Sequence, residues 1–255
     1  MLLELQEIHK SYKGGSGIFK NEMKPILKGV SLALREGECL GIVGESGSGK
    51  STLGRIALGL EEADSGRVLF EGRRHDRASH QAISVVFQDY TSSVNPRFRV
   101  VEILSEGIRS TMRSSKERRE YAKNLLEEVG LCEGILDRFP HQLSGGQLQR
   151  VCIARAISTK PRFILLDEAV SSLDVSVQVQ VLELLKNLKE KYNLAYLFIT
   201  HDLMSATFLC DRLLFFQEGR IAETLEDIRE LGKIQNPYSR SLLEAVKALE
   251  VPHFC

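Results

Sequence analysis

Apolar and polar positions alternate at the start of the chain. Leu3, Leu5 and then Ile8 have the character of a strand with one buried face. Val30, Leu32 and Leu34 repeat that pattern as a second strand, and Arg35-Glu36-Gly37-Glu38 turns the chain. Cys39 to Val43 is a short continuous apolar run, the mark of a strand covered on both faces. A helix follows Gly44, and Arg67–Phe70 and Ile83–Phe87 are further strand candidates. From about Val100 to Ile157 strand runs give way to charged helical stretches such as Ser115–Val129. Phe163–Leu166 is again a buried strand, Val175–Lys191 has the helical period, and Ala195–Thr200 and Leu213–Phe216 are two more strands. Strands separated by helices predict an α/β architecture with a parallel sheet, into which the middle helical stretch is inserted as a subdomain. Lys13-Gly14-Gly15-Ser16-Gly17 reads as a flexible loop.

Composition narrows the class. The chain has 255 residues, 43% hydrophobic and 27% charged, enough to build a large core without staples. Lys plus Arg and Asp plus Glu both number 34, so the formal net charge is +0, which argues against a strongly basic nucleic-acid binder. No apolar run approaches the roughly 20 residues of a membrane span. Met1-Leu2-Leu3-Glu4-Leu5 lacks the basic flank of a signal peptide, and no large regulatory domain is expected after the last helix. Cys39, Cys132, Cys152, Cys210 and Cys255 form no paired spacing and read as reduced thiols of a cytosolic protein. His9, His75, His80, His141 and His253 have no ligand spacing and read as surface or packing residues.

Gly44-Glu45-Ser46-Gly47-Ser48-Gly49-Lys50-Ser51-Thr52 fits the G-x-x-x-x-G-K-[ST] pattern, between an apolar strand and a helix. Its glycines let the backbone curl around an anion, consecutive N–H groups form a nest, and the helix adds its positive end. Lys50 supplies a mobile cation to β- and γ-phosphates, and the Ser51 hydroxyl suits a magnesium shell. The strand Phe163–Leu166 ends in Asp167 and Glu168, at the carboxyl edge where open α/β sheets bind ligands. Asp167 is a candidate to hold magnesium; Glu168 is a candidate to orient or deprotonate an attacking water. By itself such a strand end is as easily a solvated turn.

A second helix start lies at Leu143-Ser144-Gly145-Gly146-Gln147. Ser144 and Gln147 have the spacing of a capping box, which alone means only a well-capped helix. Gly145 and Gly146 each cost up to about 1 kcal/mol in a helix proper, and a tip that lets phosphate approach bare N–H groups explains them. The chain therefore carries two candidate anion-binding helix starts.

That segment resembles the signature sequence of ATP-binding cassette (ABC) ATPases, and the other motifs follow in that family's order over nearly the whole chain. The resemblance implies a P-loop ABC ATPase core at about 1–90 and 160–225, with an N-terminal antiparallel β region. It implies an inserted α-helical subdomain at about 91–159 and a short C-terminal helical extension at about 226–255. It also implies ATP and Mg2+ as ligands and a head-to-tail dimer, each ATP lying between one phosphate loop and the other signature helix. Tyr12 then resembles the aromatic that stacks on adenine. Gln88, ending Val85-Val86-Phe87-Gln88, resembles the Gln that contacts magnesium and water and senses the membrane partner. His201, ending Phe198-Ile199-Thr200-His201, resembles the switch histidine at the γ-phosphate. Ser144, Gly145, Gly146 and Gln147 would act in trans. So would Asp174, which ends Ser171-Ser172-Leu173-Asp174 and reads equally as a helix cap.

Ser93-Val94-Asn95-Pro96-Arg97 and Asn236-Pro237-Tyr238-Ser239-Arg240-Ser241-Leu242-Leu243 resemble the ATPase subunits of peptide and nickel importers. Asp167-Glu168-Ala169-Val170 is especially similar to the second nickel ATPase subunit, although Asn-Pro-Tyr is also an ordinary loop entering a helix. The implied partners are a second ATPase subunit in a heterodimer, two transmembrane permease subunits and an extracytoplasmic binding protein. The implied place is the cytoplasmic face of the membrane. Nickel, another metal chelate and peptide remain open as cargo. A soluble cassette ATPase is the rival within the family. A P-loop kinase or GTPase is the rival outside it, with no use for the Ser144–Gln147 helix start.

Overall fold

The computed structural model describes residues 1–14, 22–74 and 82–250. The glycine-rich segment at 15–17, His75, His80, His253 and Cys255 lie outside the described residues. In chain order the strands are β1 Leu3–Gly14, β2 Glu22–Leu34, β3 Cys39–Val43, β4 Ser65–Phe70, β5 Arg73–Arg74, β6 Ile83–Phe87, β7 Phe163–Asp167, β8 Ala195–Thr200, β9 Arg212–Gln217 and β10 Arg220–Leu225. The α-helices are α1 Lys50–Ala57, α2 Val100–Ser105, α3 Ser115–Glu128, α4 Gly145–Ile157, α5 Val175–Tyr192, α6 Leu203–Leu209 and α7 Pro237–Glu250. The chain divides into two compact units, Met1–Ser79 with Ala195–Cys255, and His80–Leu194.

In the first unit, β1 pairs antiparallel with β2 and β4, and β4 with β5. Leu3 faces Leu34 and Leu5 faces Leu32, but Ile8 faces Val30, so β1 carries an extra residue. Glu7 takes it up with φ 51, a bulge that returns Ile8 to the buried face. Gly66 lies against this bulge, where a Cβ would collide with the carbonyl oxygens of Gln6 and Glu7. The second sheet of this unit is built around β3. It runs parallel to β8, with Val43 opposite Thr200, and parallel to β9, with Val43 opposite Phe215. Every residue of β3 and β8 is buried, which explains their unbroken apolar sequence. β10 returns antiparallel along β9.

In the second unit, β6 and β7 run parallel, from Ile83 opposite Phe163 to Phe87 opposite Asp167. α4 packs on β6, α2 and α3, burying Leu148, Val151, Cys152, Ile153 and Ala156. α5 ends at Asn193 in the left-handed conformation, with φ 50. The helices of the 91–159 stretch share this unit with β6, β7 and α5. No helix among the described residues is long and apolar enough to cross a membrane. Cys39, Cys152 and Cys210 are buried and Cys132 is exposed, none in a disulfide.

Candidate functional site

The phosphate loop leaves the carboxyl end of β3, and Lys50, Ser51 and Thr52 open α1. Gly49 sits at the N-cap with φ 108, a conformation closed to side chains, and leaves the first-turn N–H groups without a side-chain cap. That is the arrangement an anion needs. Lys50 is buried at 4% exposure, and its Nζ donates to the carbonyls of Gly44 and Glu45 at 2.7 Å each. A Cβ on Gly44 would run into the carbonyl oxygen of Phe216 in β9. Ser48 accepts through its carbonyl from the Gly219 N–H at 3.0 Å, and Gly219 in turn accepts from the Lys28 N–H at 2.9 Å. The β9–β10 turn thus clamps the loop against β2. Gly219 has φ 79, and a Cβ there would strike the Ile26 carbonyl. The sequence reading missed Gly219, because its partners Ser48, Lys28 and Ile26 lie about 170 to 190 residues away.

His201 follows β8 directly. Because Val43 pairs with Thr200, Gly44 and His201 leave the same edge of the sheet. The next residue fixes the chain there. Asp202 accepts from the Met204 and Ser205 N–H groups at 3.0 and 3.2 Å and caps α6, while its own N–H donates to Thr200 Oγ1. Tyr12 lies in β1, its hydroxyl donating to Glu61 Oε1 at 2.5 Å and its ring facing Lys10 Nζ at 5.7 Å. Partial burial, then the bond to Glu61, raises the Tyr12 phenol above its usual range.

In the second unit the register of β6 and β7 places Phe87 opposite Asp167, so Gln88 and Glu168 emerge side by side. Gln88 Nε2 donates to Glu168 Oε2 at 3.0 Å and reaches Ser171 Oγ at 3.4 Å. Ser171 Oγ donates to the Glu168 carbonyl at 2.9 Å. Glu168 itself holds φ 49, an unusual conformation for a side-chain-bearing residue. A cavity of about 390 Å³ opens here, lined by Phe87, Gln88, Asp89, Ser92, Ser93 and Asp167. The Thr91 hydroxyl, with the Thr91 and Ser92 N–H groups, donates to the Asp89 carboxylate and holds it down at about 2. Among the described residues no three His, Cys, Asp or Glu side chains converge as a metal site. Within the second unit, Asp167 ends β7 opposite Phe87, beside the Gln88 amide, and oxygen donors of this kind are ones that Mg2+ accepts.

α4 begins in a complete capping box. Gln147 N–H donates to Ser144 Oγ at 3.2 Å, and Ser144 N–H donates to Gln147 Oε1 at 3.1 Å. Ser144 and Gly145 are exposed at the tip. A Cβ on Gly145 would meet the Tyr90 hydroxyl at 2.8 Å, and one on Gly146 would meet Val177 at 2.9 Å, so packing is a second reason for the two glycines. Val177 belongs to α5, whose N-cap is Asp174; its exposed carboxylate makes no capping bond, unlike an ordinary cap. Gln149, fully buried on α4, donates to the Ala169 carbonyl at 2.5 Å and ties this helix to the residue after Glu168. Sequence reading missed that tie as well.

The chain is similar to known proteins in sequence and in structure. A profile of the ABC transporter family matches residues 27–171. The metal-staphylopine import system ATP-binding protein CntF of Staphylococcus aureus is 46% identical over 246 residues, covering 95% of this chain and 98% of that protein. The nickel import ATP-binding protein NikE of Rhodospirillum rubrum is 42% identical over 253 residues, covering 96% and 91%. Among solved structures, the dimeric post-hydrolysis state of the ATP-binding cassette MJ0796 bound to ADP and Pi superposes with a TM-score of 0.78. It is 32% identical, over 89% of this chain and 99% of that one.

Proposed function

The chain belongs to the ABC transporter family, and on that footing we propose that it powers a bacterial importer whose cargo is nickel or a metal chelate. It is an ABC-type ATPase. The observation that most supports a working catalytic cassette is Lys50, buried and donating to two carbonyls of a glycine loop at a bare helix start. The cargo class comes from the two relatives named for metal–staphylopine and nickel import.

Each candidate residue takes a role toward ATP. Tyr12 stacks on adenine. The loop Gly44, Glu45, Ser46, Gly47, Ser48 and Gly49, with Thr52, wraps the phosphates, and Lys50 meets the β- and γ-phosphate oxygens. Mg2+ bound by Ser51, Asp167 and Gln88 would neutralise charge on the phosphates. Glu168 takes a proton from the attacking water, Gln88 holds Glu168 in place, and His201 reaches the γ-phosphate. Ser144, Gly145, Gly146, Gln147 and Asp174 serve the nucleotide of a partner cassette. The partner is a second ATPase subunit in a heterodimer, joined by two permease subunits, with a binding protein outside and this chain at the cytoplasmic face. ATP shifts the pair toward a closed dimer, and hydrolysis reopens it. We assign residues 91–159 to the helical subdomain that meets the permeases, and 226–255 to a C-terminal extension.

The test is uptake of radiolabelled nickel, free and chelated, by cells carrying the complete importer with wild-type chain or Lys50→Ala. Wild-type chain should support uptake and ATP hydrolysis, and the variant neither. Cells that hydrolyse ATP normally but take up no metal in either form would discard the cargo. A purified complex without ATPase activity would discard the catalytic assignment.

A further inference from the structure

The segment Asn236-Pro237-Tyr238 begins α7 in a regular way. Asn236 is its N-cap, accepting through Oδ1 from the Tyr238 N–H at 2.9 Å and through its carbonyl from the Arg240 N–H at 3.0 Å. Pro237 takes the first helical position, where its missing N–H is no loss. The anchoring exceeds what a helix start requires. Asn236 Nδ2 donates to the Ala222 carbonyl of β10 at 3.1 Å. Glu223 on β10 accepts from the N–H groups of Gln235 and Asn236 at 2.7 and 3.3 Å. Arg240 Nε donates to the Ile234 carbonyl at 3.0 Å, and Ile234 is buried. The turn is therefore fixed to β10 at several points, and Tyr238 projects from it with little freedom.

The Tyr238 hydroxyl lands on the phosphate loop. It accepts from the Glu45 N–H at 3.1 Å and donates to the Phe216 carbonyl at 3.3 Å. A trans peptide points its C=O opposite to its N–H. The Gly44–Glu45 peptide is thus held at both ends, its N–H by Tyr238 and its carbonyl by Lys50 Nζ at 2.7 Å. Releasing the N–H would let this peptide rotate and take away a carbonyl that helps to place the lysine. The neighbouring Gly44 leaves no room for a larger residue to do this work, since its Cβ position is filled by Phe216 and flanked by the tyrosine oxygen.

From this geometry we infer that Tyr238 is a positioning residue for nucleotide binding: its hydroxyl sets the Gly44–Glu45 peptide and, through it, Lys50. The inference rests on the ATP-binding reading of the loop. Order supplied in advance by the α7 turn lowers the cost of ordering the loop around phosphate.

Tyr238→Phe removes the hydroxyl and keeps the ring. One hydrogen bond of this kind supports an effect of about fivefold. In the nucleotide-free full chain, hydrogen exchange at the Glu45 amide should quicken about fivefold in Tyr238→Phe. Calorimetric titration with a non-hydrolysable ATP analogue, well below the melting temperature of both proteins, should show affinity weakened by a similar factor. Asn236→Ala should act in the same direction. Adding it to Tyr238→Phe should give less than the product of the two effects, because both work through one contact. A merely structural tyrosine would lower the melting temperature and leave analogue affinity and Glu45 exchange unchanged, which would overturn the inference. Wild-type chain that fails to bind the analogue would overturn the ATP reading instead, and the exchange measurement would still decide the brace.

Discussion

Replacing Glu168 by Gln keeps the length of the side chain, exchanges one oxygen for an amide and removes one negative charge. Two roles for Glu168 then predict different losses. If it only orients water, the structure sets the scale. Its carboxylate accepts from Gln88 Nε2 at 3.0 Å, and an amide oxygen at the same position still accepts that bond. Exchanging a charged acceptor for a neutral one weakens such a bond by about 1–2 kcal/mol, or roughly 5- to 30-fold in rate. If Glu168 removes the proton from the attacking water, the amide cannot replace it, and losing a general base costs about 10²–10⁴-fold. The assay is phosphate release by the assembled complex at saturating ATP, with nucleotide affinity measured separately. We expect turnover to fall by at least about a hundredfold while ATP still binds, leaving the cassettes closed on unhydrolysed nucleotide. Turnover reduced by no more than about 30-fold would remove the general-base role and leave Glu168 as an orienting group.

Gly219→Ala places a Cβ at φ 79 against the Ile26 carbonyl and disturbs the bond to Ser48. It should cost about 2 kcal/mol and lower the melting temperature by roughly 4–8 °C, measured by calorimetry; a shift below about 1 °C would contradict the clamp. Asp89 titrates at about 2 because Thr91 and Ser92 donate to its carboxylate. A depressed pKa means that the contribution is full above the unfolded value near 3.9 and is lost as pH falls through the folded one. The 89–92 turn should therefore keep its order at about pH 4, with the Asp89 carboxyl still ionised by NMR. A midpoint near 3.9 would show that these bonds do not form in solution.

The sequence made the buried strands plain because burial on both faces leaves an unmistakable apolar run. Cys39–Val43 and Ala195–Thr200 coincide with β3 and β8 to the residue. The shift from Leu5 to Ile8 looked like a lapse in alternation, and the bulge at Glu7 is its physical cause. β10 and α6 were not legible. β10 is an edge strand of mixed burial, Arg-Ile-Ala-Glu-Thr-Leu, with no clean period. α6 has seven residues, too few for a helical repeat to declare itself, and is started by the Asp202 cap. β5, with two residues, has no pattern at all.

The candidate site divides along the same line. The residues that would touch nucleotide sit in short contiguous motifs, because a loop around phosphate must be built from neighbouring N–H groups and a strand end presents adjacent carboxylates. Those were readable one by one. The residues that hold the motifs are remote in sequence: Gly219 at Ser48, Tyr238 at Glu45, Gln149 at Ala169. Their types do not announce these contacts: a turn glycine and a buried glutamine occur in any α/β protein, and the Asn236-Pro237-Tyr238 segment stood out only as a resemblance. The two glycines of α4 show how far local reasoning reaches. Their helix cost argued for an anion at the tip, yet Tyr90 and Val177 fill the space that side chains would take. Packing alone therefore accounts for small residues at 145 and 146. What packing does not require is that Ser144, Gly145 and the uncapping Asp174 all stay exposed on one unit. Their shared exposure, more than the glycines themselves, is what the proposed second cassette would use.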